Sequence, residues 1–332
     1  MKDNPIVSII VPVYNAESTL HICLESLDKQ VYKYMDVIFI NDCSTDGSLA
    51  KIEEFAAAMG AYPSMQVTVL SHEINRGVAA ARNSGLAVAQ GKYIYFIDAD
   101  DSLEPQALEV LVARAEEKDL ELLGFNWFLT FANGERKMTQ PMYATTMEAM
   151  IKMFEGTMKW NLWIFLIKRS LIENHCIRFI EGKNMGEDLL FMVKLLAQVQ
   201  RIDRIDDYFY HYGQLNEGSL TKQYSDRHIE EVTYNVSEVA KFLQENNVLP
   251  NVNVYLNFLK LNIKLPMLIS KDVKQYKKWF VWFEEANAFV DTDRNVSKRI
   301  QLLERMAVKK QYWFIKLHYF LIVKLYYGVF YK

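Results

Sequence analysis

What this chain lacks narrows its class before any motif is read. Its 332 residues include three cysteines, Cys23, Cys43 and Cys176. Their spacing matches neither a zinc-binding pattern nor a disulfide framework, so buried thiols in a reducing compartment are expected. No run reaches the roughly 18 uncharged apolar residues that a membrane span needs. The apolar stretch behind Met1-Lys2-Asp3-Asn4-Pro5 is too short for a secretory signal. The expected location is therefore the cytoplasm. No excess of one charge is present either: 38 Lys and Arg face 41 Asp and Glu, a net charge of −3. That balance argues against nucleic acid as a partner. Glycine is missing where a phosphate loop would hold it. The first apolar run ends in Pro12-Val13-Tyr14-Asn15-Ala16-Glu17, with neither Gly nor Lys. A dinucleotide-binding G-x-G-x-x-G is thus absent, as is the basic, Gly-rich loop expected of a nucleotidyltransferase.

What is present is a regular alternation. Half of the chain is apolar (51%), enough for one large domain or two smaller ones. Ile6 to Val13 is a β-branched run that suits a strand buried on both faces. Leu20, Leu24 and Leu27 then recur at helical spacing. Further strands are expected at Asp36–Ile40, Gln66–Leu70 and Lys92–Ile97. Helices are expected between them, the last over Val78–Ala89 with Gly91 as its stop. Such strand–helix alternation implies an α/β fold: a mostly parallel sheet with helices on both faces. Its ligands belong at the C-terminal ends of the strands. A strand over Glu121–Phe131, a helix over Gly186–Val199 and a short aromatic strand over Tyr208–Tyr212 follow. Beyond them, 226–246, 252–270, 273–289 and 294–308 read as helices. Two domains are expected, 1–225 and a helical region 226–332.

The polar clusters fall at those strand ends. In Asp98-Ala99-Asp100, two carboxylates at i and i+2 can converge on a hard divalent cation. Such an ion, Mn2+ or Mg2+, neutralises a diphosphate leaving group. Asp101-Ser102 could equally cap the next helix. Asn41-Asp42-Cys43-Ser44-Thr45-Asp46-Gly47 follows the second strand. A carboxylate at Asp42 can accept the imide N–H of uracil or thymine, which cytosine lacks. A turn with Ser44 or Asp46 as helix cap explains part of the same cluster. Asn75-Arg76-Gly77 opens a helix that carries Arg82-Asn83, and an arginine there suits a diphosphate or, equally, a solvated helix face. Gly186-Glu187-Asp188 starts another helix. Asp188 can serve as general base, or its charge can simply complement the helix dipole.

Taken together, Val7 to Asn15, Asn41-Asp42 through Asp46-Gly47, Asn75-Arg76-Gly77 with Ala81-Arg82-Asn83, Asp98 to Asp101, and Gly186-Glu187-Asp188 resemble the family 2 inverting glycosyltransferases of GT-A fold. The resemblance spans roughly residues 5–225. It implies a loop of Pro12, Tyr14 and Glu17 along the nucleoside, Asp42 at the base, and Asp98 near the ribose. Asn75, Arg82 and Ala99 join the donor site. Asp100 becomes the metal ligand and Asp188 the catalytic base. Tyr208 to His211, with Gly218-Ser219-Leu220-Thr221, resembles the segment that folds over the diphosphate. Where many relatives carry arginine, this chain has His211, which is either a second metal ligand, a phosphate donor or a buried structural histidine. The implied activity is transfer from a nucleotide-sugar, expected to be a UDP-sugar, to a glycan or lipid-linked acceptor of surface polysaccharide synthesis. The competing readings are a nucleotidyltransferase and a catalytically weak sugar-nucleotide-binding protein.

The end of the chain is unusual. From Lys309 to Lys332 it interleaves aromatic residues with lysines and contains no acid. That is the composition of a helix lying on an anionic bilayer, which would place the protein at the inner face of the cytoplasmic membrane. The competing reading is a helix packed on its own domain or on the second subunit of a homodimer.

Overall fold

In a computed structural model, residues 6–59, 65–131, 133–214 and 225–322 are described. Packing divides the chain into two compact units. The first takes Met1–Thr146 and Trp160–Val239, the second Met147–Lys159 and Ala240–Lys332. The first unit therefore runs past the expected boundary at 225/226, and a short central segment belongs with the C-terminal helices.

The first unit begins with β1 (Val7–Val13), α1 (Leu20–Asp28), β2 (Met35–Asn41), α2 (Ser48–Met59), β3 (Met65–Ser71), α3 (Val78–Val88) and β4 (Tyr93–Phe96). These match the sequence pattern to within a few residues. The four strands lie side by side in the order β3-β2-β1-β4 and run parallel. β1 and β2 are almost wholly buried, which is why they carry no alternating polar residues. The chain leaves β1 toward β2 and β3, then returns to β1's other side as β4. Right-handed crossovers in opposite directions place α1 and α2 on one face and α3 on the other. The gap beyond the C-terminal ends of β1 and β4 is therefore a topological switch point, the usual ligand site of such sheets.

Beyond β4 the sheet becomes mixed. Next come β5 (Ser102–Leu103), α4 (Ala107–Glu117), β6 (Leu122–Phe131), β7 (Gly134–Met138), α5 (Thr146–Phe154), β8 (Phe165–Lys168), α6 (Arg169–Asn174), α7 (Glu187–Gln198) and β9 (Ile202–Gly213). β8 runs antiparallel between β4 and β6, and β9 extends the sheet from β6 to β5. The parallel character expected from the sequence thus holds for the β3-β2-β1-β4 half. The other half brings β9 back beneath the acidic loop after β4.

The second unit is helical. After α8 (Asp226–Asn246), which begins in the first unit, come α9 (Val252–Lys264), α10 (Val273–Val281), α11 (Lys298–Val308) and α12 (Tyr312–His318). Asp272 caps α10 by accepting from Lys274 N at 2.8 Å, and Ser297 caps α11 by accepting from Ile300 N at 3.3 Å. Lys264 is fully buried, and its ammonium donates to the carbonyls of Trp282 and Phe283 and to Asn287 Oδ1. Burial pushes its pKa down to about 7. Of the cysteines, Cys23 is buried as expected, while Cys43 is half-buried and Cys176 exposed.

α3 reaches β4 through Gly91, where no side chain fits. A Cβ there would stand 2.6 Å from Ser8 N and 2.7 Å from Ile6 O, both main-chain atoms of the β1 segment. Gly91 N also donates to Ser8 Oγ, which donates to Asp36. Gly91→Ala should therefore cost about 1–3 kcal/mol, the range for overpacking a well-filled site, as measured by urea unfolding.

Candidate active site

The first wall of the site is a pair of loops stitched together. Asn15, at φ +47°, turns the chain after β1. Its Oδ1 accepts from Thr45 N at 2.8 Å, and its own N–H donates to Ser44 Oγ at 3.1 Å. Glu17 N donates to Asp46, while the Glu17 carboxylate accepts from Gly47 N at 2.9 Å. Asp46 also accepts from Ser48 N, capping α2 as one reading proposed. Glu17 thus braces the neighbouring loop with the carboxylate expected along the nucleoside. Pro12 and Tyr14 remain on the cavity side.

That cavity has a volume of about 320 Å³. Pro12, Val13, Tyr14, Asp42 and Asn75 form one side. Gly77, Val78 and Ala81 of the α3 start form its back, and Asn184, Met185, Arg227, His228 and Glu231 close it. Asp42 is held by three donors: Arg76 N at 2.8 Å, Gly77 N at 2.7 Å and His72 Nδ1 at 2.7 Å. Gly77, at φ +86°, sits under the Asn184 amide, and a Cβ would meet that amide at 2.1 Å. Asn184 Oδ1 accepts from Ala79 N, so α3 receives its cap from a residue more than a hundred positions away. Asn184 N in turn donates to Glu231, and Asn235 donates to Met185 O.

Next to this cavity lies an acidic centre with one cation inside it. Arg82 of α3 is buried. Its Nη1 donates to Glu187 and Asp188, both at 2.7 Å, and its Nη2 to Asp98 at 3.3 Å. Its guanidinium also lies 5.6 Å from the centre of the Phe179 ring. Asn83 exchanges two hydrogen bonds with the Phe179 main chain, which docks α3 beside the α7 start. Arg82, expected to meet a diphosphate, is held here by three carboxylates. The three are brought together from β4 and α7 by residues far apart in sequence. Burial pushes the Asp98 carboxyl up to about 6; Asp100 and Asp188 add to the rise and Arg82 opposes it. Burial, then repulsion from Asp188, pushes Glu187 up to about 8 against the pull of Arg82.

The acidic loop itself is a turn, closed by Asp101 N donating to Asp98 O. Ala99 is buried and Asp100 half-buried within it. Asp101 caps no helix: Ser102-Leu103 forms β5, and α4 starts only at Ala107. Instead, Asp101 is buried and accepts from Tyr210 Oη and Gly213 N, both at 2.7 Å. Tyr210 Oη accepts from Asp98 N, and its ring stacks on Trp163 at 4.3 Å. β9 is thus a buttress for the acidic loop.

His211 lies on the other side of β9 from Tyr210. Its Nε2 bonds Glu104 and its Nδ1 bonds Glu135, both at 2.8 Å, and its ring stacks on Phe128. Both nitrogens are engaged by carboxylates, which ties β9 to β7 and to the segment after β5. Among the described residues, no three His, Cys, Asp or Glu side chains converge as a protein-only metal site. Gly218 to Thr221 lies outside the described residues.

His72, Asn184, Arg227, His228 and Glu231 went unnoticed in the sequence. Only Glu231 left a signal, as an acid on the inward stripe of α8. The others are single polar residues whose partners are distant in sequence.

Comparison with known proteins agrees with this geometry. Residues 8–176 match the model of Glycosyl transferase family 2. EpsH of Bacillus subtilis is 31% identical over 275 residues, covering 80% of this chain and 77% of its own. The succinoglycan biosynthesis protein ExoO of Rhizobium meliloti is 27% identical over 237 residues, 68% of this chain and 65% of its own. The crystal structure of S. aureus TarS 1–349 with UDP-GlcNAc superposes with a TM-score of 0.68 at 19% identity, over 94% of this chain and 91% of that one. A Pyrobaculum calidifontis mannosyltransferase with GDP-Man and Mn2+ does so with a TM-score of 0.53 at 15% identity, over 94% and 88%. At these identities the two structures share the fold.

The raised Glu187 carboxyl has a measurable sign. Its unfolded value is about 4.3, so its stabilising contribution is complete below that pH and is lost as pH rises through about 8. Melting temperature should fall over that window in the wild type. Glu187→Gln, whose amide cannot ionise, should give a shallower decline; an identical slope would contradict the assignment.

Proposed function

The chain belongs to the family 2 glycosyltransferases, and on that premise we propose that it moves a sugar from a nucleoside-diphosphate donor, a UDP-sugar, to a hydroxyl of a glycan or lipid-linked acceptor. The observation that carries this reading is the union of two sites at the β1/β4 switch point. α3 lines the cavity with Ala81 and enters the acidic centre with Arg82; the α7 approach does the same with Met185 and Asp188. A nucleoside in the cavity would therefore place its diphosphate toward Asp98 and Asp100.

Asp42 supports the uracil assignment. A carboxylate offers about four acceptor positions, and three are filled. One remains for an imide N–H. Pro12, Tyr14 and Asn75 surround the same space. Arg227, on the cavity wall and paired with Glu231, is a further guanidinium near the donor beside Arg82.

The residues present fit a divalent cation. Asp98, Glu187 and Asp188 share one guanidinium, and the oxygen-only donor set at Asp98 and Asp100 suits Mn2+ or Mg2+. Asp100 would hold it together with the donor phosphates, as such ions commonly bind through few carboxylates. Bound there, it neutralises the departing diphosphate. Asp188 takes the proton of the acceptor hydroxyl. The hydroxyl oxygen forms its bond to the anomeric carbon as the carbon–phosphate oxygen bond breaks, and the diphosphate leaves with the electron pair. One displacement from the opposite face inverts the configuration. The likeness to ExoO supports surface polysaccharide as the destination.

The chain's end supports a membrane-surface acceptor. Trp313, Lys316, Leu317, Phe320 and Leu321 are all exposed and recur at the i, i+3, i+4, i+7, i+8 spacing of one helical face. Ile315 is buried on the opposite side. Lys309 and Lys310 are exposed just before them. An apolar face edged by lysines fits an anionic bilayer, and no described helix is long and apolar enough to cross one.

Two experiments test these proposals. Asp188→Asn should lower transfer at least about 100-fold, as expected for loss of a general base, while UDP binding with Mn2+ stays near wild type by calorimetry. Transfer at the wild-type rate would refute the base. Separately, the triple variant Trp313→Ser, Leu317→Ser, Phe320→Ser should no longer sediment with phosphatidylserine vesicles. Unchanged sedimentation overturns the membrane face, and a dimer lost in the same variant assigns that face to a second copy.

A further inference from the structure

Asp42 sits at the end of a buried chain that the proposed chemistry does not use. His72 follows β3, and its main chain is held by its N–H donating to Asn41 O at 2.9 Å. Its side chain is 9% exposed and that of Asp42 4%. His72 Nδ1 stands 2.7 Å from Asp42 Oδ1, and His72 Nε2 stands 2.9 Å from Ser84 Oγ on α3. An ionised carboxylate can only accept, so Nδ1 must carry the proton. In the neutral ring Nε2 is then an acceptor, and the Ser84 hydroxyl donates to it. Asp42 thereby fixes the tautomer, and the Ser84 hydroxyl, which can rotate to donate, braces the far side of the ring.

We propose that His72, donating to Asp42 and braced from behind by Ser84, is a positioning residue that makes the donor site selective for bases bearing an imide N–H. This rests on the reading of Asp42 as the base reader. The two main-chain donors, Arg76 N and Gly77 N, approach different oxygens of the carboxylate. The His72 N–H fills the second acceptor position of Oδ1 and leaves the free one on Oδ2. Without His72, Asp42 has two open acceptor positions and a softer orientation. A base with an exocyclic amine, such as cytosine, can then be accepted as well as uracil. His72 acts on the nucleotide only through Asp42.

The test is calorimetry of UDP and CDP, each with Mn2+, on the full chain. His72→Phe should weaken UDP about tenfold, the scale of one hydrogen bond to a charged group, while CDP weakens less or tightens. The UDP-over-CDP preference should therefore collapse by about tenfold. His72→Asn places an amide N–H2 near the Nδ1 position and should recover most of the preference. Ser84→Ala removes the bond that braces the ring at Nε2 and should lower the preference about threefold. Equal weakening of both nucleotides in His72→Phe, or a preference that His72→Asn does not recover, overturns the proposal. Asp42→Asn separates this from the underlying reading. If that variant binds UDP like wild type, the base-reader assignment itself falls. If it loses UDP while His72→Phe keeps the full preference, only the role of His72 falls.

Discussion

The rest of the site depends on a single buried guanidinium. Arg82 gathers Asp98 from the end of β4 and Glu187 and Asp188 from the start of α7. Three carboxylates cannot share a dry space unpaired, since burial and mutual repulsion act together on each. The raised Asp98 and Glu187 carboxyls are the visible result. An arginine suits this position because its flat fork offers several donors in one plane. The remaining negative charge is what a divalent cation would meet.

Around that centre the fold supplies rigidity from two directions. On one side, Asp101 and Tyr210 tie the acidic turn to β9, with Trp163 stacked behind. Tyr95 Oη donates to Trp163 O at 2.6 Å and links this stack back to the parallel half of the sheet. On the other side, Asn184 caps α3, while Glu231 and Asn235 hold the Asn184-Met185 loop. The α3 dipole and its first N–H groups are thus satisfied by tertiary contacts rather than by a local cap. Gly77 is required because its φ of +86° and the closeness of Asn184 exclude any Cβ.

The sequence was most legible where local physics decides. Buried strands reveal themselves as β-branched runs, and α8 reads from Asp226 to Asn246 because its apolar stripe is regular. The acidic and polar clusters at strand ends announced the site's location. What stayed hidden was partnership. Nothing in the spacing of Arg82 says that it faces α7 rather than a ligand. Asp101 looks like a helix cap because an acid before an apolar run usually is one, yet β5 intervenes and Tyr210 claims it. His211 has the chemistry of a metal ligand, and nothing in the sequence shows that Glu104 and Glu135 flank it. β8 and α5 were missed because each is short and gives too few residues for a period to emerge.

One consequence follows from how Asp42 is held. Two of its three donors are main-chain N–H groups at the start of α3, which survive every side-chain substitution except proline at Arg76 or Gly77. Among the donors to Asp42, only His72 is therefore open to ordinary side-chain scanning. The main-chain part is also hard to redesign. A laboratory seeking a different donor base would have to move the path of the chain from Asn75 to Gly77, and with it the helix that carries Arg82. On the proposed reading of Asp42, nucleotide choice and the acidic centre would be inherited as one piece.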